Sequence, residues 1–335
     1  MFESGIRRGA AVTALAVAVA VCGCAAGETP GPTATAPASS RPLPTPTVAM
    51  SPSFTLSPTP SLSGGGLIVL ADGPDGVRGI WTLDSNSNWA LVAKTPGATA
   101  LGRAPDGVVL AAGGSVEFRR TDSIATTRSV TPLKWAAAPL AIADVDVSAA
   151  GRIALVAADG STLRYATAGP DGIVTALTPA PTQSFTPLVA WMGETALLVL
   201  STDEQQVSKL AVMETAIPKA TPVDAPSGVR VFAVSGDGHV IGAATASGIY
   251  VSTLAGLTAA DTPAPIASLA EGQVVWALAM DGPGARIWML SGKVGSDGSV
   301  GSVRELGYAK GDAGWQKTTD LPVPFGRGLD QVYVP

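Results

Sequence analysis

The chain has 335 residues, of which 46% are hydrophobic and only 14% charged, with 39 Gly and 27 Pro. The Gly residues follow no period of three, which excludes a collagen helix, and this density of Gly and Pro disfavours helical bundles and coiled coils. A net charge of −5 argues against nucleic acid as a partner, because phosphate needs a basic face. One His and two Cys exclude zinc fingers, His-based metal clusters and a disulfide scaffold.

The first 23 residues have the pattern of an export signal. Arg7 and Arg8 form a short positive region, and residues 10–22 are apolar except for Thr13. Thirteen helical residues reach about 20 Å, which is too short for a hydrocarbon core of about 30 Å. We therefore predict a secretory signal peptide over residues 1–23 rather than a membrane span.

The end of this segment carries a lipid-attachment pattern. The sequence Val21-Cys22-Gly23-Cys24 resembles a bacterial lipobox, in which cleavage makes the last Cys the new N-terminus and a diacylglyceryl group is attached to it. The resemblance implies lipid attachment at Cys24, contact with the membrane through that lipid, and a location on the outer side of the cytoplasmic membrane. A plain secreted protein with two incidental Cys is the alternative.

A tether is expected between this anchor and the rest of the chain, over residues 24–65. Residues 25–65 contain nine Pro together with many Ser and Thr, and they have no large apolar cluster. Such a stretch cannot bury enough apolar surface to offset the entropy of ordering it. We predict a disordered spacer, with Cys24 at its start.

Residues 66–335 repeat with a period near 44 residues. A turn recurs at residues 107, 151, 193, 238 and 282, which are 44, 42, 45 and 44 residues apart. Apolar strands flank the turn, a third strand follows, and a fourth, weaker segment closes each unit. The fourth segments are expected to end in a Thr-Pro pair, at Thr95-Pro96, Thr131-Pro132, Thr178-Pro179, Thr221-Pro222 and Thr262-Pro263. Four strands in a repeat of this length are typical of a β-propeller blade.

The length of the repeat region sets the number of blades. Residues 66–335 span about six repeats of this kind. Residues 67–71 resemble the second strands of later repeats and have no first strand before them. We therefore predict an all-β, six-bladed β-propeller with four antiparallel strands per blade, in which residues 329–334 complete the blade begun by residues 67–71 and cover its edge. We expect a monomer; a β-sandwich of similar strand content is the alternative.

The combination of signal, tether and repeats resembles the lipid-anchored propeller lipoproteins of high-GC Gram-positive bacteria, whose blades are of the TolB or tryptophan-aspartate repeat type. This resemblance implies an extracytoplasmic, non-catalytic binding or scaffold module, and we expect its partner to be an envelope protein or glycan. No cofactor motif is present, so no cofactor is expected. A propeller hydrolase or lyase acting on an extracellular or cell-wall carbohydrate is the alternative, because that chemistry needs only two carboxylates.

Acidic residues are expected to gather on one face of the ring. Strand direction places the turns between second and third strands on the same face as the links between blades. We predict that these acids form an acidic face that recruits a cation or a basic partner. Alternatively, they only stabilise their own hairpin turns through local hydrogen bonds. The predicted members of this face are Asp72, Asp75, Asp159, Asp203, Glu204, Asp224, Asp297 and Asp320.

Two further side chains are candidates for a functional role. His-based catalysis would have to use His239, which lies in a predicted turn and is expected to be solvated. The Trp residues are expected to pack between adjacent blades, since aromatic side chains dominate core area. Trp135 lies in the link between the second and third blades and is the candidate for contact with a partner.

Overall fold

The structure is a computed structural model. It describes residues 66–334 apart from 85, 137, 160–161, 180–187, 203–206, 218, 258–262, 295–301 and 327. The chain divides into two units, Met1–Ala49 and Met50–Pro335, and every described residue belongs to the second. The predicted signal peptide (residues 1–23), Cys24 and the predicted tether (residues 24–65) lie outside the described residues.

The described residues form twenty-four strands and two short helical turns. The first twelve strands are β1 Gly66–Asp72, β2 Arg78–Leu83, β3 Trp89–Lys94, β4 Ala98–Ala104, β5 Gly107–Ala112, β6 Ser115–Arg120, β7 Ser129–Pro132, β8 Ala141–Val147, β9 Ile153–Asp159, β10 Thr162–Ala168, β11 Val174–Pro179 and β12 Val189–Met192. The others are β13 Ala196–Thr202, β14 Ser208–Glu214, β15 Ala220–Ser227, β16 Val231–Val234, β17 Val240–Ala244, β18 Gly248–Thr253, β19 Ala267–Ser268, β20 Gln273–Met280, β21 Arg286–Lys293, β22 Arg304–Gly311, β23 Gly314–Pro322 and β24 Gly328–Val334. A 3-10 turn covers Thr121–Ser123, and a one-turn helix, α1, covers Leu254–Leu257.

These strands form six antiparallel sheets of four strands each, arranged as the six blades of a β-propeller, which confirms the predicted fold class. Blade 1 has the order β24-β1-β2-β3, and blades 2 to 6 take the following strands in sets of four. In blade 1 the C-terminal strand pairs with the first strand of the described chain, with Leu67 opposite Tyr333 and Ile68 opposite Val332. The predicted closure of the ring by residues 329–334 is therefore confirmed.

The burial of the strands follows their position within a blade. Second strands such as β1 and β5 are almost continuously buried, because each is covered by the neighbouring blades, and their short apolar runs between turns are typical of such strands. The outer strand β23 has exposed and half-buried residues only. Burial is thus nearly complete in these second strands and lowest in the outer strand, while the innermost strand β12 alternates between buried and half-buried residues.

The outer strands differ from the prediction in two blades. Thr131-Pro132 and Thr178-Pro179 end their strands as expected. In blade 4, however, Thr221-Pro222 lies near the start of β15, and in blade 5 the outer strand β19 begins after Pro263. An outer strand has one free edge, so a Pro without an N–H is tolerated at either end of it, and the pair does not fix the register.

The recurring turn joins the first and second strands of a blade. Gly151, Gly193 and Gly238 have φ values of 77°, 72° and 77° there, in the left-handed region that favours Gly. In blade 6 this conformation is taken by Gly284, with φ of 70°, and not by Gly282. The recurrence in the sequence therefore reflects a backbone requirement of the turn.

Backbone contacts assign the loops to two faces, which we call the turn face and the link face. On the turn face, first-to-second turns meet third-to-fourth turns: the Thr121 amide donates to the Asp106 carbonyl at 3.2 Å. On the link face, second-to-third turns meet the links between blades: the Leu133 amide donates to the Gly114 carbonyl at 3.1 Å. This is the loop arrangement that the strand directions predicted.

Candidate axial binding site

The first strands of the blades surround a small channel on the propeller axis. It has a volume of about 100 Å³ and is lined by residues of β4, β8, β12, β16, β20 and β24. Most of the lining is apolar, and the exceptions are one basic and three acidic side chains. These four are Arg103, Asp144, Asp146 and Asp330.

Two of the three carboxylates of the channel connect blade 3 to blade 4. The Asp144 carboxylate accepts a hydrogen bond from the Val189 amide at 2.7 Å. Two residues further along β8, Asp146 accepts one from the Trp191 amide at 2.8 Å. Successive carboxylates on one side of β8 thus bind alternate amides of β12, which has no backbone ladder with β8. These acids have a structural task in holding blades 3 and 4 together.

Burial changes the acidity of these groups. It raises the pKa of the Asp330 carboxyl to about 7, although the Leu101 amide and the Arg78 guanidinium favour the ionised form. Burial, together with the charge of Asp330, raises the pKa of Asp144 well above its usual range. Burial also raises the pKa of Asp146, against the opposing effect of Arg103. Burial is the largest cause in each case, because low-dielectric surroundings disfavour carboxylate charge.

Arg103 closes the channel toward the turn face. Its side chain leaves β4 in blade 2 and crosses to blade 5, where Nη1 donates to the carbonyl oxygens of Ser235 at 2.9 Å and Val234 at 3.4 Å. Arg103 also lines a second, larger space on the other side. The guanidinium therefore separates the two spaces.

This second space is a cavity of about 280 Å³ at the mouth of the ring on the turn face. We call it the axial cavity. Its wall consists mainly of the first-to-second turns of blades 2 to 6, including Ala149, Gly193, Asp237 and Gly282. Because these turns are short and rich in Gly, their backbones approach the axis and leave a rounded depression.

One side of the axial cavity is held by a polar network between blades 3 and 4. The Glu194 carboxylate accepts hydrogen bonds from the Ser148 hydroxyl at 2.7 Å and the Ala150 amide at 2.9 Å. Arg152 donates to the Glu194 carbonyl, and its guanidinium lies 4.9 Å from the centre of the Trp191 ring. Trp191 is only 2% exposed. These contacts within the protein hold this part of the cavity wall in position.

The predicted acidic face is described in part. Its described acids have basic partners: Asp72 pairs with Arg78 at 3.0 Å and Asp75 with Lys94 at 3.0 Å. Asp320 pairs with both Lys317, at 2.9 Å, and Arg304. Asp203, Glu204 and Asp297 lie outside the described residues, as do the side chains of Asp159 and Asp224. The acidic face stays a prediction.

His239 and Trp135 lie in the elements that the sequence predicted for them. His239 is exposed in the turn before β17, and its amide donates to the Asp237 carboxylate at 3.0 Å. Trp135 is partly buried against the core between blades 2 and 3. Its contact with a partner stays a prediction. Among the described residues, no three His, Cys, Asp or Glu side chains form a group that could hold a metal ion.

The four charged residues of the channel were not predicted from the sequence. A signal for them exists: Asp144 and Asp146 alternate with Val in a strand that the repeat makes innermost, and Asp330 lies in the closing strand. A charge in an innermost strand can only face the axis or a neighbouring blade. The partners of the acidic face were missed for another reason, since Arg78 reaches Asp72 through the register of β1 and β2.

Comparison with solved structures identifies TolB-like propellers as relatives in fold. The chain matches a putative TolB from Agrobacterium tumefaciens with 15% identity and a TM-score of 0.50, over 77% of this chain and 90% of that one. It matches TolB from Acinetobacter baumannii with 10% identity and a TM-score of 0.55, over 80% of this chain and 66% of that one. At these identities the likeness concerns the fold alone.

A gluconolactonase is also among the matched structures. The periplasmic gluconolactonase of Pseudomonas aeruginosa aligns with 15% identity and a TM-score of 0.45, over 81% of this chain and 99% of that one. No protein-family model matches the sequence, and no curated protein matches it. Within the part of the chain that the structure describes, no helix is long and apolar enough to cross a bilayer.

Proposed function

We propose that this protein is a lipid-anchored, extracytoplasmic binding module that takes its ligand in the axial cavity on the turn face. The tether and the Cys24 anchor would hold the ring at the outer side of the cytoplasmic membrane. The ligand would be a soluble molecule or an exposed group of an envelope protein or glycan. The site would bind its ligand without cleaving any bond in it.

The observation that carries this proposal is the difference between the two axial spaces. The carboxylates that a glycosidase would need lie in the channel, whose volume is about 100 Å³. A cavity of about 150 Å³ is filled by a benzene molecule, so the channel is too small for a sugar ring. The axial cavity, at about 280 Å³, is large enough for a small ligand, and its two acids are already held by local hydrogen bonds.

The alternative function, a carbohydrate hydrolase or lyase, has one specific observation in its favour. Asp144 and Asp330 line the same channel, and burial raises the pKa of both carboxyls, as expected for a general acid. The test is release of reducing ends from cell-wall polysaccharide by the purified protein. Activity that is lost in Asp144→Asn but kept in Asp320→Asn would favour the enzyme over the binding module.

Position-specific cross-linking in the native membrane tests the binding proposal. A photoreactive amino acid is placed at Gly282 on the rim of the axial cavity, at Asp75 on the link face, and at Val130. Val130 is 52% exposed on an outer strand and serves as the control. We expect an adduct from position 282 that is absent from position 130. Adducts from position 130 alone, or from none of the three, would contradict the proposal; an adduct from position 75 alone would move the site to the acidic face.

The lipid anchor is tested separately with the two Cys of the signal region. Metabolic labelling with an alkyne fatty acid should mark the wild-type protein and Cys22→Ala but not Cys24→Ala. The Cys24→Ala protein should also leave the detergent phase in a phase-partition experiment. Label that persists in Cys24→Ala would show that the anchor is elsewhere.

A further inference from the structure

Arg103 presents unused hydrogen-bond donors at the floor of the axial cavity. An Arg guanidinium has five N–H donors, and here Nη1 alone is engaged, with the carbonyls of Val234 and Ser235. Nε and Nη2 make no hydrogen bond to any residue that the structure describes, and the guanidinium forms no salt bridge with a described carboxylate. Arg103 is therefore fixed in position by one nitrogen, while its two other nitrogens have no hydrogen-bond partner among the described residues.

The charges around Arg103 define which anion the cavity would accept. Glu194 and Asp237 also line the cavity, and Asp146 lies close enough to interact electrostatically with Arg103 from the channel side. One guanidinium among three carboxylates leaves the surroundings negative on balance, and such surroundings repel a dianion such as phosphate more strongly than a monoanion. A single carboxylate matches the planar fork of the guanidinium and adds only one charge.

The volume of the cavity defines the size of the ligand. At about 280 Å³ it is nearly twice the cavity that benzene fills, which corresponds to roughly 12 non-hydrogen atoms. A sugar acid or a dipeptide has this size. Both carry a carboxylate beside groups that can hydrogen-bond to the polar backbone of the surrounding turns.

The geometry points to the axial cavity as a binding site for the carboxylate group of a small solute, a sugar acid or a short peptide, held by Nε and Nη2 of Arg103. This inference rests on the proposed function as a binding module and adds the chemical class of the ligand. Arg103 is the residue that determines specificity, and the Gly-rich turns determine the size limit.

Two matched pairs of probes test the inference on the full-length protein purified in detergent. D-glucuronate and D-glucose differ by a carboxylate, as do alanyl-alanine and its C-terminal amide, so the pairs distinguish a sugar acid from a peptide as the source. Binding is measured by calorimetry and by ligand-observed NMR at up to about 10 mM, which reaches the millimolar range of weak affinity. Inorganic phosphate is added as a competitor.

We expect the carboxylate probe of one pair to bind at least about tenfold more tightly than its neutral counterpart. This factor corresponds to the lower end of the free energies found for hydrogen bonds to a charged group. Arg103→Gln should abolish this preference. Arg128→Gln is the matched control, because Arg128 is 53% exposed, pairs with Asp106 and does not line the cavity. Equal affinity for both members of each pair, no binding by either carboxylate, or phosphate binding as tightly as the carboxylate would each overturn the inference.

A second variant keeps the test decisive if Arg103→Gln disturbs the channel. A Cβ added at Gly282 meets no atom within 4 Å, so Gly282→Leu adds bulk at the rim of the cavity while Arg103 itself is unchanged. It should abolish binding of the carboxylate, while Gly97→Leu, at an equally open position on the link face, should not. If Gly282→Leu blocks the neutral probes and the charged probes alike, and Arg103→Gln changes neither, the binding module stands and the carboxylate inference falls.

Discussion

The carboxylate of Asp330 accepts a hydrogen bond of 2.9 Å from the backbone amide of Leu101, which lies 229 residues earlier in the chain. Asp330 belongs to β24, the strand that closes blade 1, and Leu101 belongs to the first strand of blade 2. The contact therefore joins the end of the chain to the blade that follows the closure. It also places an ionisable group with a pKa of about 7 at this joint.

Asp330 makes the stability of the ring depend on pH. A carboxyl whose pKa is raised on folding contributes stability that is present below its unfolded pKa, near 3.9, and is lost as the pH rises through about 7. Asp330→Asn keeps an acceptor for the Leu101 amide and removes the charge. It should therefore be more stable than wild type at pH 8, by at most about 4 kcal/mol since each pKa unit corresponds to about 1.4 kcal/mol.

The measurement is urea unfolding of both proteins at intervals between pH 4 and pH 8. The gap in unfolding free energy between Asp330→Asn and wild type should narrow as the pH falls. Asp320→Asn is the control, because Lys317 and Arg304 hold the pKa of Asp320 below its usual range. Its contribution is lost only below that range, so the gap between Asp320→Asn and wild type should stay nearly constant from pH 4 to pH 8. A gap for Asp330→Asn that is the same at all pH values would mean that Asp330 does not titrate in this range.

Tyr165 connects blades 3 and 4 through a single hydroxyl. Its OH donates to the Leu200 carbonyl at 2.8 Å and accepts from the Leu200 amide at 3.0 Å, within the core. Tyr165→Phe leaves both backbone groups unsatisfied and should lower the unfolding free energy by about 1–3 kcal/mol. Tyr250→Phe is the matched control, because its OH makes one long contact of 3.4 Å with Ser247 at the surface. Equal effects of the two substitutions in denaturant unfolding would refute this role.

The fold could be predicted from the sequence because its repeat unit is local. The turns near residues 151, 193 and 238 require Gly with positive φ, and they recur at the length of a four-stranded unit. The apolar runs between them have the length of buried strands. The pairing of residues 67–71 with residues 329–334 followed from counting strands, since one blade lacked its first strand.

The axial site could not be predicted in the same way. Arg103 and Ser235 are brought together across the axis by the closure of the ring, and no spacing in the sequence encodes that contact. The Asp-Gly turns of the sequence point to the loop acids as candidates for function. The charged residues of the channel, such as Asp144, lie instead in innermost strands, whose other residues are mostly apolar. Charge in a strand that the repeat makes innermost is the signal to use in other propellers.

Phe325 packs in the core between blade 1 and blade 6, next to the strand that closes the ring. It lies in the link between β23 and β24, is 5% exposed, and contacts Trp81 at 5.4 Å and Trp89 at 5.2 Å between ring centres. Phe325→Ala should lower the unfolding free energy by about 3–5 kcal/mol, whereas Phe325→Leu keeps most of the buried area and should cost much less. Hydrogen exchange of the β24 amides should increase most in Phe325→Ala. Unchanged protection of β24 would show that the link does not hold the closing strand.

Gly102 allows the first strands of blades 2 and 3 to approach each other. A Cβ at this position would lie 1.8 Å from the Val145 carbonyl oxygen, so even Ala requires the two backbones to move apart. The φ of Gly102 is not in the left-handed region, and the effect of Gly102→Ala is therefore steric. We expect a loss of at least about 2 kcal/mol in unfolding free energy, within the range for overpacking.

Gly97→Ala is the control for this substitution. It adds the same methyl group just before the start of β4, where a Cβ would meet no atom within 4 Å. It should change the unfolding free energy by no more than about 0.5 kcal/mol, as for ordinary surface substitutions. The displacement of β4 from β8 should also weaken the hydrogen bonds that Asp144 and Asp146 make to blade 4, since both lie beside Val145 on β8. Gly102→Ala should accordingly increase amide exchange at Val189 and Trp191, and a stability loss without that increase would mean that the strain is absorbed within blade 2.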